Sequence, residues 1–280
     1  MEMKVDEPNQ KTVQVCYLYG FSRSGAAASL GLPGVDGRAE VTEVPMGAGV
    51  SAVLSTVGSD EFGPLFALDQ PVDLDWVVPR ACRHERVVEG VMARSPVLPV
   101  RFGTIFSSRE ALGERTAGRR DEIAAFLGRV TDREEWGLKA YLERALAADW
   151  LLGHDPELSR RWQQLSATPG ARYFQEKSLR QLAQDRARSW GREQAEAIVA
   201  AVSDCSESIV RCPATASAAG DALLHLALLL PGPDVAGFLD RVESLAAPLR
   251  ERGLSVKASG PWPPYHFCPA FERIAEGSPS

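Results

Sequence analysis

The chain has 280 residues, 45% hydrophobic and 24% charged, with a formal charge of −6. This is the composition of a globular protein of one large or two ordinary domains. The acidity is even, −3 over residues 1–130 (14 basic, 17 acidic) and −3 over 131–280 (17 basic, 20 acidic), so no basic half marks nucleic acid as the main partner.

Residues 1–10 are polar and mixed in charge, without an apolar core of signal-peptide length. The longest apolar run, Ala222 to Leu230, is interrupted by His225 and falls well short of the ~20 residues of a membrane span. Cys16, Cys82, Cys205, Cys212 and Cys268 are scattered and never form C-x-x-C. That pattern favours reduced thiols in a cytoplasmic protein over disulfides or zinc.

In chain order, Thr12 to Tyr19 alternates and is rich in β-branched and aromatic residues, which predicts a strand ended by Gly20. Residues 22–38 have loop composition. Ala39 to Pro45 and Val50 to Val57 read as strands joined by a turn at Met46 to Gly49. Asp73 or Asp75 caps a helix from Trp76 to about Arg94. Ser95 to Gly103 is predicted as a strand that Pro99 confines to a sheet edge or a bulge. Ser107 or Ser108 starts a helix over Glu110 to Arg129. Beyond it, Glu135 to Leu142 is a strand, and Leu142 to about Val202 is helical with breaks at 153–156 and 167–170. In the last of these helices Leu179, Leu182, Ala183, Ala187 and Trp190 share a stripe. Ser206 to Cys212 and Ala222 to Leu230 are strands, the second apolar throughout except for His225 and so suited to a central place. A helix from Asp234 to Arg252 stops at Gly253, and Leu254 to Ser259 is the last strand. The prolines of Gly260-Pro-Trp-Pro-Pro-Tyr-His-Phe267 exclude a helix and leave a rigid, extended aromatic segment. The expected class is α+β. An N-terminal α+β domain covers 1–130. A C-terminal ferredoxin-like domain, β-α-β-β-α-β with extra helix, covers 131–280 and carries the Pro/aromatic tail.

Chemistry-bearing motifs are thin. Gly47-Ala-Gly49-Val-Ser-Ala52 fits G-x-G-x-x-A, yet a strand rather than a helix follows it, which favours a hairpin turn. Gly20-Phe-Ser-Arg-Ser-Gly25 has the wrong spacing for a nucleophile elbow. His84 and Glu85 are adjacent on a helix, so they point to different faces and do not form one acid–base pair. His154, His225 and His266 lack neighbouring ligands at metal-site spacing. Arg172, Lys177, Arg180, Arg186, Arg188 and Arg192 outnumber Glu176, Asp185 and Glu193 on one helix, which suits either an acidic partner or a solvated face.

Several strings together are distinctive: Val15 to Gly20, Pro96-Val-Leu-Pro-Val-Arg-Phe-Gly-Thr-Ile-Phe106, Glu135-Trp-Gly-Leu-Lys139, Thr168-Pro-Gly-Ala-Arg-Tyr-Phe174 and Gly260 to Phe267. In order and over nearly the whole chain, they resemble the gas vesicle protein F/L family. The chain departs from that pattern after Tyr173, where Phe174-Gln-Glu-Lys177 stands in place of a Leu and a basic pair. It departs again in the loop 22–38 and at Glu61 to Leu68. The resemblance implies a non-enzymatic accessory or minor structural protein of gas vesicle formation, without cofactor or metal. Its implied partners are the hydrophobic shell protein, GvpA, and other accessory proteins, in the cytoplasm or on the gas-facing inner vesicle surface. Two partner surfaces are expected. One is an exposed edge at Val97, Leu98, Val100, Arg101 and Phe102. The other is the basic helix at Arg172, Arg180 and Arg186. Trp136, Gly137, Trp262, Pro263, Pro264 and Tyr265 are expected as structural motif residues, with Trp262 and Tyr265 fixing the tail. A ligand-sensing regulatory module on a ferredoxin-like sheet is the alternative.

Overall fold

A computed structural model of the chain describes residues 13–27, 30–62, 73–213 and 220–269. The polar N-terminus 1–10 and the segment 63–68, both noted in the sequence, fall outside these residues. The chain divides into two compact units. One runs to Thr131 and resumes at Pro263; the other is Asp132–Trp262.

The first unit is built on an antiparallel sheet. Its strands are β1 (Gln14–Arg23), β2 (Thr42–Gly47), β3 (Val50–Gly58), β4 (Val97–Pro99) and β5 (Ile105–Phe106). The order is β2-β3-β1-β4, with β5 also paired to β1. Residues 16–22 of β1 are all buried, the mark of a strand covered on both faces. Alternation sends Tyr17 and Tyr19 to one side, where they pack with Val87, Val88 and Val91 of α2 (Leu74–Met92). A short α1 (Ser59–Phe62) adds Phe62 to this cluster. On the other side α4 (Arg120–Arg129) lies against β1, β3 and β4, following α3 (Arg109–Thr116) and a 3₁₀ turn at Ala117–Arg119.

Local chemistry explains these elements. Asp73 caps α2 by accepting from the amides of Asp75 and Trp76. Ser108 does the same for α3 through Ala111. The helix expected over 110–129 is two helices, because the Thr116 hydroxyl bonds back to Leu112 carbonyl and Gly118 follows at the 3₁₀ turn. Gly20 does not end β1. The register shifts between Leu18 and Gly20, a bulge, and a Cβ at Gly20 would stand 2.5 Å from Leu98 carbonyl oxygen. Glycine serves there for close approach of β4 rather than as a stop. The strand expected over 95–103 shrinks to β4, because a turn at 102–103 ends it, and the short β5 follows beyond that turn.

The second unit contains β6 (Arg133–Leu142), α5 (Arg144–His154), α6 (Pro156–Gln163), α7 (Pro169–Ser203), β7 (Ser208–Arg211), β8 (Asp221–Pro231), α8 (Val235–Arg250) and β9 (Leu254–Trp262). Its antiparallel sheet has the order β7-β8-β6-β9. Leu138, Ala140, Leu142, Leu224, Leu226, Leu228, Leu254 and Val256 face a core shared with α5, α7 and α8. The buried row of α7 is Leu179, Ala183, Ala187, Gly191, Ala195, Ile198 and Val202. Small residues bring this long helix close: a Cβ on Gly191 would lie 2.9 Å from Leu223 Cδ1 and 3.2 Å from Leu142 Cδ2. The last strand continues past Ser259 to Trp262, and a single 3₁₀ turn at Tyr265–Phe267 follows. The tail from Pro263 groups with the first unit, whereas the sequence reading places the whole Pro/aromatic tail in the second domain.

Candidate interaction site

Within the first unit the tail is held by a buried polar network. His84 lies on the sheet-facing row of α2 and is fully buried. Its Nε2 is 3.1 Å from Val100 carbonyl oxygen and its Nδ1 is 3.0 Å from Tyr17 hydroxyl. A carbonyl only accepts, so the network assigns the proton to Nε2 and leaves Nδ1 to accept from Tyr17. Tyr17 oxygen in turn accepts from Gly103 amide at 3.0 Å. Tyr265 hydroxyl sits 3.3 Å from His84 Nε2 and donates to Glu85 Oε1 at 2.9 Å. His84 and Glu85 are therefore linked after all, through a phenol from the far end of the chain. Phe102 adds a T-shaped contact to the imidazole at 6.0 Å between ring centroids.

Burial sets the charge states. It pushes the His84 pKa down from the usual 6.5 to about 4, against the opposing pull of Val100 carbonyl. It also pushes Tyr17 and Tyr265 well above the ordinary phenol range, and Tyr19 to about 12. Burial raises Glu85 as well, opposed by the hydrogen bond from Tyr265. The cluster holds a neutral imidazole with both nitrogens engaged. Its work is to position chain segments, since neither nitrogen is offered to solvent. Cys268 Sγ reaches Pro99 carbonyl at 3.6 Å, and Arg129 donates to Phe267 carbonyl at 3.0 Å. Both contacts fasten the same tail.

The residues expected to bind partners are placed unevenly. Val97, Leu98 and Val100 are buried, Phe102 is half-buried and Arg101 is exposed. The carbonyls of Pro99 and Val100 are already taken by Cys268 and His84. The edge strand is thus occupied by this chain's own core and tail. On α7, Arg172 pairs with Glu176, Arg180 lies over the Trp162 ring at 5.5 Å, and Arg186 bridges Asp155 and Glu157. Lys177 and Arg192 make no ion pair among the described residues. Of the six basic side chains of the helix, Arg172, Arg186 and Arg188 are ion-paired within their own molecule and Arg180 is stacked on a ring.

Of the expected structural residues, Pro263 and Pro264 are buried and Tyr265 is locked as above. Trp136 packs on Phe238 and donates from Nε1 to Glu134 at 2.9 Å, and Gly137 leaves room for Ser259. Trp262 differs: it is 46% exposed and bonds only locally, to Ser259 Oγ at 3.2 Å. Tyr265 carries the contacts that hold the tail, and Trp262 ends β9 partly exposed.

Sequence reasoning missed the most exposed aromatics among the described residues. Tyr173 and Phe174, near the start of α7, are 62% and 70% exposed and stack edge-on at 5.6 Å. Residues 167–175 are all exposed. The signal was present in the helical phase, because both aromatics fall off the row set by Leu179, Ala183 and Ala187.

The motif strings on β1, β4–β5, β6, α7 and the tail are now placed on two antiparallel sheets, and residues 15–269 match the family described as gas vesicle synthesis protein GvpL/GvpF. The chain belongs to the GvpL/GvpF family. It is 28% identical over 249 residues to gas vesicle protein L1 of Halobacterium salinarum, covering 78% of this chain and 85% of that protein. It is 25% identical over 230 residues to gas vesicle protein L of Streptomyces sp. (strain CB03234), covering 79% and 81%. The crystal structure of gas vesicle protein GvpF from Anabaena sp. PCC7120 matches with a TM-score of 0.66 at 16% identity, over 95% of this chain and 99% of that one. GvpF from Microcystis aeruginosa matches at 0.61 and 17%, over 92% and 100%. A GvpF-like mixed helix and antiparallel-sheet fold and a gas vesicle role follow for this GvpL/GvpF member. Among the described residues no helix is long and apolar enough to cross a membrane.

Proposed function

We propose that this GvpL/GvpF member is a non-enzymatic accessory or minor structural protein of gas vesicle formation. It acts in the cytoplasm and at the vesicle, and it binds the hydrophobic shell protein, GvpA, with other accessory proteins as further partners. The family description, a synthesis protein, and the gas vesicle names of its relatives support this reading. The observation that carries the contact is the exposed Tyr173–Phe174 pair. A gas vesicle shell needs an apolar gas-facing surface, so its free subunit carries an aggregation hazard. Two rings held on a helix cover apolar surface at little cost in conformational entropy. The arginines of α7 are mostly engaged within the molecule, so the contact is apolar in character.

The contact belongs at the start of α7 rather than at Val97, Leu98 and Val100, whose side chains serve the core. The β-α-β-β-α-β succession with order β7-β8-β6-β9 supports the ferredoxin-like reading of the second unit. A sensor would need convergent polar groups in a pocket; the groove beside α8 and β9 has an apolar floor and charge only at its rim. The test is capture of the shell protein from vesicle-forming cells by the wild-type chain and by Tyr173→Ser/Phe174→Ser. The reading expects capture that persists in high salt and is lost in the double variant. Normal vesicles after deletion of the gene, with no capture under any condition, would defeat it.

A further inference from the structure

β9 is the edge of the second sheet, and among the described residues no strand pairs with it on its outer side. Such an edge offers a row of backbone donors and acceptors to an added strand. Beside it, α8 and β9 enclose an open groove of about 360 Å³ floored by Leu239, Val242, Val256 and Ala258. The groove rim carries the Arg250–Glu243 ion pair, and Ser255 and Lys257 of β9 complete its lining at the strand edge.

The opposite face of the same strand is charged. Alternation puts Lys257 on the side away from α8, and it is exposed while Leu254 and Val256 are buried. Lys257 stands directly opposite Lys139 of β6, which stands opposite His225 of β8. Two lysines as a direct cross-strand pair repel, and neither has an ion pair among the described residues. Among the described residues the row lacks an anion at its open end, next to the unpaired edge.

We propose that the outer edge of β9 receives an extended segment of another protein that alternates apolar and acidic residues. Its backbone pairs along Leu254 to Gly260, ahead of Pro261, which has no N–H. Its apolar side chains enter the groove between α8 and β9. Its acidic side chains lie beside Lys257 and relieve the Lys257–Lys139 repulsion. The charge pattern selects this occupant over a second copy of the chain. Antiparallel self-pairing centred on Lys257 would bring two more lysines together. This inference does not rest on the shell-protein contact at α7.

The test uses the full chain and a fluorescein-labelled, end-capped peptide of four Val-Glu repeats, followed by fluorescence anisotropy. Saturable binding is expected. Lys257→Glu, an exposed change, should weaken it about tenfold, the scale of one lost attraction and one new repulsion. The Val-Lys peptide should show the reverse preference, binding the Lys257→Glu variant better than wild type. Tyr173→Ser/Phe174→Ser should leave peptide binding unchanged, which separates this edge from the α7 contact. Absence of saturable binding, or equal binding by wild type and Lys257→Glu, would overturn the proposal and leave Lys257 as a guard against edge pairing. A concentration-dependent dimer in sedimentation that Lys257→Glu strengthens would overturn it in favour of self-pairing.

Discussion

Tyr265 donates its hydroxyl proton to Glu85 at 2.9 Å across 180 positions of chain, and the same oxygen lies 3.3 Å from the imidazole of His84. One phenol therefore ties the end of the described chain to the helix that covers the first sheet. The contact orders a tail that has little helix or sheet of its own.

Tyr265→Phe keeps the ring and removes that tie. It leaves a half-buried carboxylate short of a donor, and such losses cost about 1–3 kcal/mol. Chemical denaturation should show that drop. Hydrogen exchange should show faster exchange at residues 265–268 with little change in α7. An unchanged midpoint and unchanged exchange would mean that the tail is held by Phe267 and Cys268 alone.

His84 makes stability depend on pH. Its folded pKa is depressed to about 4 from 6.5, so the folded state resists a proton that the unfolded chain accepts. Stability is full above about pH 6.5 and falls as pH drops towards 4, by up to ~3 kcal/mol. Glu85 opposes this in part, because its raised pKa lets the folded state take a proton first. The carboxylates of Asp155 and Asp221 are held low, by the backbone amide of Leu158 and by Arg144 respectively, and their contributions are lost at lower pH. Urea titrations from pH 7 to pH 4 should therefore show a slope that His84→Gln flattens. A slope identical in the variant would remove His84 as its source.

Gly20→Ala should destabilise the first unit by about 1–3 kcal/mol, the usual range for overpacking. The new methyl would meet Leu98 carbonyl oxygen at 2.5 Å, a backbone atom that cannot rotate aside. Loss of amide protection on β4 would be the accompanying sign. Full stability in the alanine variant would show that β4 shifts outward without cost.

Trp262→Ala and Phe267→Ala should differ. Phe267 is buried, and truncating a buried aromatic costs about 3–5 kcal/mol. Trp262 is half-exposed, so its removal should cost less than half as much. Equal losses in thermal or chemical unfolding would place Trp262 among the core residues.

Tyr173→Ser/Phe174→Ser should leave stability within ~0.5 kcal/mol of wild type, as exposed substitutions do. It should also reduce apolar dye binding and shell-protein capture together. A large loss of stability would show that the rings are packed rather than presented.

Period and punctuation determined much of the chain before any tertiary contact. The alternation of β1, the apolar run of β8, the Asp73 cap and the Pro169 start of α7 each encode local conformation through side-chain sterics and backbone hydrogen bonding. The proline-bearing strings likewise carried the family, because few backbones need prolines at those spacings. Tertiary structure decided the rest. Gly20 reads as a stop in one dimension and becomes a close-approach site only when β4 crosses it. The arginines of α7 look like a binding face until Glu157 and Trp162 of α6 and its cap Asp155 engage them. The link from His84 to Glu85 needed a third group from residue 265. Edges, exposed rings and shared protons depend on which distant segments fold together, and that depends on the whole packing rather than on any local window of residues.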